Sequence, residues 1–187
     1  MKIFKNGLLF TITTIVVIYL LLWAVRAFGF RSPLFAFLLN WLVMSWTATS
    51  SLALPISFAP SYYALKPFEQ DGQLYERLGI RLFKRMIRRG PLAIFSLNMR
   101  LPKAKSGPAM RKLESDMRGA ETIHVCIFLL MFLFIGYALC RGWLDAAAWL
   151  LLFDLLLNVY PVMLQRYNRI WLQELIRQQE QADKALA

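Results

Sequence analysis

The sequence contains a single histidine, which lies close to an acidic residue at the start of an apolar stretch. His124 follows Glu121 by three residues, so both side chains project from one face of a helix. Imidazole has an ordinary pKa suited to proton transfer near neutral pH, and a carboxylate one helical turn away can fix its tautomer. This spacing predicts a general base, His124, that is oriented by Glu121. The alternative is an interfacial histidine that only forms a hydrogen bond with a nearby acid.

A second group of polar side chains surrounds the end of a later apolar run. Pro161 interrupts this run, which frees a backbone carbonyl and bends the helix. The planar guanidinium group of arginine binds phosphate or carboxylate, and amides add hydrogen-bond donors, one of which could stabilise an oxyanion. The pattern predicts a site for a donor or an acceptor substrate, formed by Asn158, Gln165, Arg166, Asn168 and Arg169. The alternative is that the two arginines only extend to a membrane interface.

One further acidic residue, Asp154, lies inside the same apolar run. An ionisable residue at membrane depth is costly and is usually kept for a function or a partner. Two interpretations stay open at this point. Asp154 is either a functional group or a partner for Arg141 or for a hydroxyl group of another helix.

Four apolar stretches must position these residues. Crossing a bilayer takes about 20 largely apolar residues in a helix, and 58% of this chain is hydrophobic. The stretches predict an all-α integral membrane protein that forms a single domain over residues 1–187, with spans at approximately 7–26, 34–56, 122–140 and 145–165. The first stretch is longer than the apolar part of a signal peptide, so a retained span is favoured over a cleaved signal. In the second, Asn40 and several hydroxyl groups predict hydrogen bonds to neighbouring helices.

The positive charge is concentrated in segments that one membrane side would share. The net charge is +11, and most of the basic residues fall in the N-terminus, in loop 57–121 and in tail 166–187, while the other connections carry only Arg26, Arg31 and Arg141. Positive residues near spans mark the cytoplasmic side. This distribution predicts a multi-pass protein of the bacterial cytoplasmic (inner) membrane with both termini in the cytoplasm. It argues against nucleic acid as the partner of these charges.

The loop between the second and third spans contains an amphipathic pattern. Four apolar residues share one stripe: Leu74, Leu78, Leu82 and Met86. Basic residues, among them Arg81 and Lys84, lie largely elsewhere, which predicts a basic helix in the headgroup region. Such a helix either anchors the chain on lipid or also holds a phosphate-bearing substrate. A second helical stripe, Met110, Leu113 and Met117, leads towards Glu121 and His124.

The two cysteines do not indicate a disulfide or a metal site. Cys126 and Cys140 lie too far apart along one predicted helix to form a bridge. No zinc-binding spacing is present, and one histidine with one glutamate provides too few metal ligands. No metal or other cofactor is therefore expected.

Several of these segments together resemble a known family. They are Tyr63-Ala64-Leu65-Lys66-Pro67-Phe68-Glu69, Leu78-Gly79-Ile80-Arg81-Leu82-Phe83-Lys84, Glu121-Thr122-Ile123-His124, Asn158-Val159-Tyr160-Pro161 and Gln165-Arg166-Tyr167-Asn168-Arg169. As a set, they resemble the glycosyl-4,4′-diaponeurosporenoate acyltransferase family from about Tyr63 to Arg169. The resemblance implies a small integral membrane acyltransferase that esterifies a sugar hydroxyl of a glycosylated carotenoid.

These observations combine into one leading hypothesis. A fatty acyl group passes from a cytosolic thioester, either acyl-CoA or acyl carrier protein, to a hydroxyl group of a membrane-embedded lipid or glycolipid. His124 acts as the general base, and no Ser or Cys is clearly paired with it as a nucleophile. The main alternative is a non-catalytic membrane scaffold or lipid-binding subunit. A transporter is a third option, which the small number of spans and the lack of a visible repeat disfavour.

Overall fold

The computed structural model describes residues 2–51, 56–89 and 107–186, and all regular structure within these ranges is helical. The helices are α1 (Lys2–Phe28), α2 (Pro33–Ser50), α3 (Pro60–Tyr63), α4 (Gln73–Arg77), α5 (Ile80–Arg89), α6 (Gly107–Cys140), α7 (Leu144–Asp154) and α8 (Tyr160–Leu186). A 3₁₀ turn, Pro67–Glu69, precedes α4, and a π-helical turn, Leu155–Val159, joins α7 to α8. The all-α class predicted from the sequence is confirmed for the described residues.

The ends of two helices, α2 and α6, do not coincide with the boundaries of the predicted spans, because polar residues flank both spans. Ser32 caps α2 by accepting a hydrogen bond from the Leu34 N–H, and Pro33 occupies the first turn. This helix ends at Ser50, before the predicted boundary at 56. Residues 52–55 of that predicted span lie outside the described residues. Helix α6 begins at Gly107 and continues through the predicted span boundary at 122, in agreement with the predicted helical stripe that leads towards Glu121.

Three helical segments among the described residues are long and apolar enough to cross a membrane. They are Lys5–Phe28, Gly107–Cys140 and the run Leu144–Ala182 that includes α7 and most of α8. Helix α2 is not among them. It has 18 residues, and Asn40 together with its hydroxyl-bearing residues lowers its apolar character.

The chain divides into two compact units. Unit 1 comprises Met1–Ser57 and Thr122–Val159, and it contains α1, α2, the second half of α6, and α7. Helix α2 contacts both α1 and α7, and the Trp46 indole N–H donates to the Thr14 hydroxyl at 2.9 Å. Its core is apolar, with members that include Phe35, Leu39, Val43, Ile127, Met131 and Leu150. This packing fixes the helices that carry the polar residues described below.

Unit 2 comprises Phe58–Glu121 and Tyr160–Ala187. Helices α4 and α5 pack on α8 through a cluster of buried residues, Tyr75, Ile80, Ile87, Leu164 and Tyr167. The predicted stripe of Met110, Leu113 and Met117 is buried with Leu172 of α8. The first half of α6 and the second half of α8 therefore share an apolar seam. Charged pairs such as Arg111 and Glu180, at 3.0 Å, lie outside this seam.

The predicted amphipathic helix from Leu74 onwards is divided. Residues 78–79 form a turn between α4 and α5, and Gly79 adopts a φ of +80°, which lies in the left-handed region. The two short helices present two apolar faces. One face packs on α8, and the other exposes Leu74, Leu78, Leu82 and Met86, with Leu82 60% exposed. The predicted apolar stripe is thus not part of the core of unit 2.

Candidate functional site

Unit 1 contains a chain of hydrogen-bonded polar side chains, which we call the polar cluster. Nδ1 of His124 lies 3.2 Å from Oδ1 of Asn158. Nδ2 of Asn158 donates to Oδ1 of Asn40 at 2.9 Å and to Oδ1 of Asp154 at 2.8 Å. Asn40, Asp154 and Asn158 are fully buried, whereas His124 is only partly buried. The histidine is therefore the member of the polar cluster through which a substrate could be reached.

Three helical segments supply these side chains. His124 comes from α6, Asn40 from α2, and Asp154 and Asn158 from the end of α7 and the π-helical turn that follows it. Asp154 and Asn158 are four residues apart, a spacing that places them on one helical face. From the sequence we expected Asn40 to form a hydrogen bond with a neighbouring helix, and its partner is Asn158 in the π-helical turn.

The π-helical turn is explained by the proline that follows it. In an α-helix the carbonyl of Leu157 would accept a bond from residue 161, but Pro161 has no N–H. The helix widens by one residue over Leu155–Val159, and such π turns are frequent at functional sites. The sequence correctly predicted a disturbed helix at this position.

Unit 2 contains a buried set of four charged side chains, Glu69, Glu121, Arg166 and Arg169, which we call the ion cluster. Arg166 donates from Nε and Nη2 to the two carboxylate oxygens of Glu69, both at 2.7 Å, and from Nη1 to Oε1 of Glu121 at 2.8 Å. Nη2 of Arg169 lies 3.2 Å from Oε2 of Glu121 and donates to the Tyr63 carbonyl at 3.0 Å. Glu121 and Arg169 have no exposed side-chain surface.

The ion cluster is electrically balanced, because two carboxylates meet two guanidinium groups. Burial alone would raise the pKa of Glu69. This effect is outweighed by hydrogen bonds that the carboxylate accepts from Arg166, from Tyr75 and from the Lys66 backbone, and by the positive charge of Arg166. The resulting pKa of Glu69 is about 2. Glu69 consequently stays ionised over the physiological pH range, and the arrangement has the geometry of a structural clamp.

Two tyrosines next to the ion cluster are held in their neutral form. Burial is the main cause that raises the pKa of Tyr62 to about 12, and the charge of Glu121 and a hydrogen bond to it add to this effect. Burial and a hydrogen bond to Glu69 likewise raise the pKa of Tyr75. The guanidinium carbon of Arg166 lies 5.7 Å from the centre of the Tyr62 ring, within range of a cation–π contact.

The predicted site residues are distributed over both units. From the sequence we expected Glu121 to orient His124, but the carboxylate is held by Arg166 and Arg169 and the imidazole bonds to Asn158. Glu121 and His124 each have a partner that lies more than 30 residues away in the sequence. The three-residue spacing between them could not predict these partners.

The remaining predicted residues lie in unit 2 on α5 and α8. Nζ of Lys84 donates to Oδ1 of Asn168 at 2.9 Å, which leaves the amide N–H groups of Asn168 as donors. Arg81 is largely exposed and pairs with Glu76 at 2.6 Å. Gln165 is buried. These positions therefore offer exposed or half-buried cations on α5, together with an amide on α8.

One participant, Glu69, had no role assigned from the sequence, and the role of Asp154 was left open between two interpretations. Glu69 lies in one of the segments that carry the family resemblance. Prolines precede it and a glycine follows it, and such an irregular segment did not indicate that the Glu69 side chain would be buried. Asp154 had two interpretations, and its observed partner is Asn158 instead of Arg141, which stacks on Trp143. No group of three or more His, Cys, Asp or Glu side chains that could hold a metal ion occurs in the described ranges.

The membrane-length helices and the buried polar residues indicate a small helical membrane protein. A family model named glycosyl-4,4′-diaponeurosporenoate acyltransferase matches residues 59–178. The chain belongs to this acyltransferase family. The match includes all members of the ion cluster and every member of the polar cluster except Asn40. No curated protein and no solved structure matches the chain significantly.

Proposed function

We propose that the protein transfers a fatty acyl group from a cytosolic thioester to a hydroxyl group of a membrane-embedded lipid or glycolipid. The observation that carries the proposal is the position of His124. It is the one histidine of the chain, it is partly accessible, and it is hydrogen-bonded to the buried amide of Asn158, which in turn donates to Asn40 and Asp154. Membership of an acyltransferase family supports the reaction class.

In the proposed reaction His124 is the general base. Its free ring nitrogen takes the proton of the acceptor hydroxyl while the oxygen attacks the thioester carbonyl carbon. The carbon–sulfur bond then breaks, and the thiol leaves with the proton that the imidazolium returns. No covalent acyl-enzyme is required, so Cys126 has no assigned part. General-base catalysis of this kind contributes about 10²–10⁴-fold in rate.

The donor is proposed to bind at α5 and α8 through its phosphates. Arg166 and Arg169 are engaged by carboxylates in the ion cluster, so their proposed contribution is to hold α8 and the 3₁₀ turn in place. Arg81 and Lys84 are the cations of the predicted site that lie outside this cluster. Arg and Lys both bind phosphate, and the amide of Asn168 could add a hydrogen bond.

We propose a four-span topology in which α2 crosses the bacterial cytoplasmic membrane together with the three longer segments. Helix α2 is about 27 Å long at 1.5 Å per residue, close to the roughly 30 Å of bilayer hydrocarbon. The charge distribution supports cytoplasmic termini. A cytoplasmic location of unit 2 would let a soluble thioester reach the chain.

The test combines lipid mass spectrometry with turnover of a defined donor. Cells that make the wild-type chain are compared with cells that make His124→Ala or no protein, and membranes from each are incubated with radiolabelled palmitoyl-CoA or palmitoyl carrier protein. We expect an acylated lipid only with the wild type, and a species lighter by one acyl group in both other samples. Cys126→Ala, two residues away on α6, is the matched control and should keep full turnover. A His124→Ala protein that inserts and turns over like wild type contradicts the proposal.

A non-catalytic lipid-binding subunit is the second candidate. The observation in its favour is the exposed apolar stripe of α4 and α5, next to the exposed Arg81 and Arg85. Such a surface is typical of helices that lie on anionic membranes. Salt-sensitive binding of anionic lipid, with no acyl transfer from either thioester by the wild-type chain, would support this candidate and contradict the first.

A further inference from the structure

The direction of every hydrogen bond in the polar cluster can be traced from the backbone. Nδ2 of Asn40 donates to the carbonyl of Ala36 at 3.1 Å, and a backbone carbonyl can only accept. This bond fixes the orientation of the Asn40 amide. Its Oδ1 therefore faces the Nδ2 of Asn158, at 2.9 Å.

The next bond is determined in the same way. Nδ2 of Asn158 has two hydrogens, and it uses them on Oδ1 of Asn40 and Oδ1 of Asp154. If the Asn158 amide were reversed, its oxygen would face two acceptor oxygens, and both would lose a donor in a buried site. Oδ1 of Asn158 consequently points at Nδ1 of His124 and requires a hydrogen there.

We infer that Asn158 is a positioning residue that holds the proton of neutral His124 on Nδ1, and that Asn40 and Asp154 act through it by holding its amide. The lone pair then resides on Nε2. This is the nitrogen that would take the hydroxyl proton, so the catalytic consequence rests on the proposed function, while the tautomer itself does not. The role expected of Glu121 from the sequence passes to an amide on another helix.

Asp154 is the second acceptor, beside Asn40, that holds the Asn158 amide in this orientation. Its Oδ1 accepts from Asn158, and its Oδ2 has no hydrogen-bond partner among the described residues. A carboxyl group is retained in a fully buried position between apolar helices, and such residues are expensive unless they serve a purpose. Anchoring the amide of Asn158 supplies this purpose.

The presence of one histidine makes the tautomer directly measurable. The chain is labelled with ¹⁵N-histidine, purified and placed in lipid nanodiscs, and the two ring-nitrogen chemical shifts are recorded by NMR spectroscopy at a pH where the ring is neutral. Because histidine occurs once, both signals belong to His124. We expect a protonated Nδ1 and an unprotonated Nε2 in the wild type. A proton found on Nε2 in the wild type overturns the inference.

Variants separate the members of the polar cluster. In Asn158→Ala the Nδ1–H loses its acceptor, so we expect the proton to move in part to Nε2, which imidazole favours in water. Asp154→Leu removes the acceptor that holds the amide and should act in the same direction, whereas Asp154→Asn keeps a carbonyl oxygen and should preserve the wild-type spectrum. Cys126→Ala serves as the control with an unchanged ring environment. Unchanged Nδ1 protonation in both Asn158→Ala and Asp154→Leu overturns the positioning role.

Turnover provides the second readout. With palmitoyl thioester as the probe, we expect kcat in Asn158→Ala to fall several-fold with little change in KM, because only the fraction of His124 that keeps an unprotonated Nε2 can act as the base, while binding is unchanged. Asp154→Asn should rescue kcat relative to Asp154→Leu. A selective increase in KM in Asn158→Ala contradicts a positioning role. If His124→Ala keeps full turnover while the tautomer shifts follow the pattern above, the proposed function fails and the structural inference stands.

Discussion

Removing Arg166 should destabilise the protein far more than removing an arginine from its surface. Arg166→Met deletes three hydrogen bonds of 2.7–2.8 Å and leaves Glu69 and Glu121 with less compensation in a buried setting. Breaking a buried ion pair by removing one partner typically costs about 3–5 kcal/mol, because an uncompensated charge stays behind. The geometry justifies this range, since the Arg166 side chain is 11% exposed and both carboxylates are less exposed still.

The expected effect is large enough for a thermal assay in detergent micelles or nanodiscs. A change of 1 kcal/mol shifts the melting temperature by roughly 2–4 °C in a chain of this size, so Arg166→Met should lower Tm by roughly 6–20 °C. The transition is followed by tryptophan fluorescence. Arg177→Met is the matched control, because Arg177 forms a 2.9 Å pair with Glu174 that is exposed on both sides. Such surface pairs contribute about 0–1 kcal/mol.

A second substitution tests the physical reason for the loss. Glu69→Gln removes the charge that Arg166 leaves unpaired, so the double variant should recover part of the stability lost in Arg166→Met. The interaction energy from the double-mutant cycle should therefore be well above the measurement error. Equal melting temperatures for Arg166→Met and Arg177→Met would refute the conclusion that the ion cluster is a buried clamp.

Three further outcomes follow from unit 2. The folded-state pKa of Glu69 is about 2, below the usual value near 4.5. The contribution of its carboxylate to stability is therefore complete above pH 4.5 and is lost as the pH falls towards 2. A plot of Tm against pH should show this loss in the wild type and a smaller loss in Glu69→Gln. Gly72→Ala should lower stability by about 1–2 kcal/mol, since φ is +70° and a Cβ would lie 3.0 Å from a tyrosine ring. Gly119→Ala, on an open helical surface, should raise stability by about 0.5–1 kcal/mol, and equal Tm values for the two alanine variants contradict this. Lys84→Gln should raise the KM for palmitoyl-CoA about fivefold, whereas Lys112→Gln should leave this KM unchanged. If steady-state kinetics give the two variants equal KM values, Lys84 has no part in donor binding.

Much of the helical organisation follows from local sequence patterns. Apolar runs long enough for a bilayer predicted the membrane-length segments, and three of these are found among the described residues. The stripe of Met110, Leu113 and Met117 predicted a buried face, which packs on Leu172. Pro161 predicted a disturbed helix, and the π-helical turn precedes it. All of these properties depend on neighbours within a few turns, so spacing along the chain suffices to predict them.

The amphipathic segment between α3 and α6 shows where such patterns fail. The stripe of Leu74, Leu78, Leu82 and Met86 predicted one continuous helix, but a turn at Gly79 divides it into α4 and α5. The buried face of α5 is formed instead by residues such as Ile80 and Ile87. The segment has apolar residues on two faces, and only the position of α8 decides which face is buried.

The candidate site shows the same limit at the level of single side chains. From the sequence alone we could determine the residue types that are able to do chemistry: one imidazole, one acid in an apolar run, and arginines next to amides. The tertiary structure decided their partners. Glu121 pairs with Arg166 and Arg169, and His124 bonds to Asn158. Hydrogen bonds and ion pairs require atoms within about 3 Å, and these contacts are made across 34 to 48 residues of chain. Residue type and spacing determine what a side chain can do, whereas the packing of distant helices determines which atom it meets.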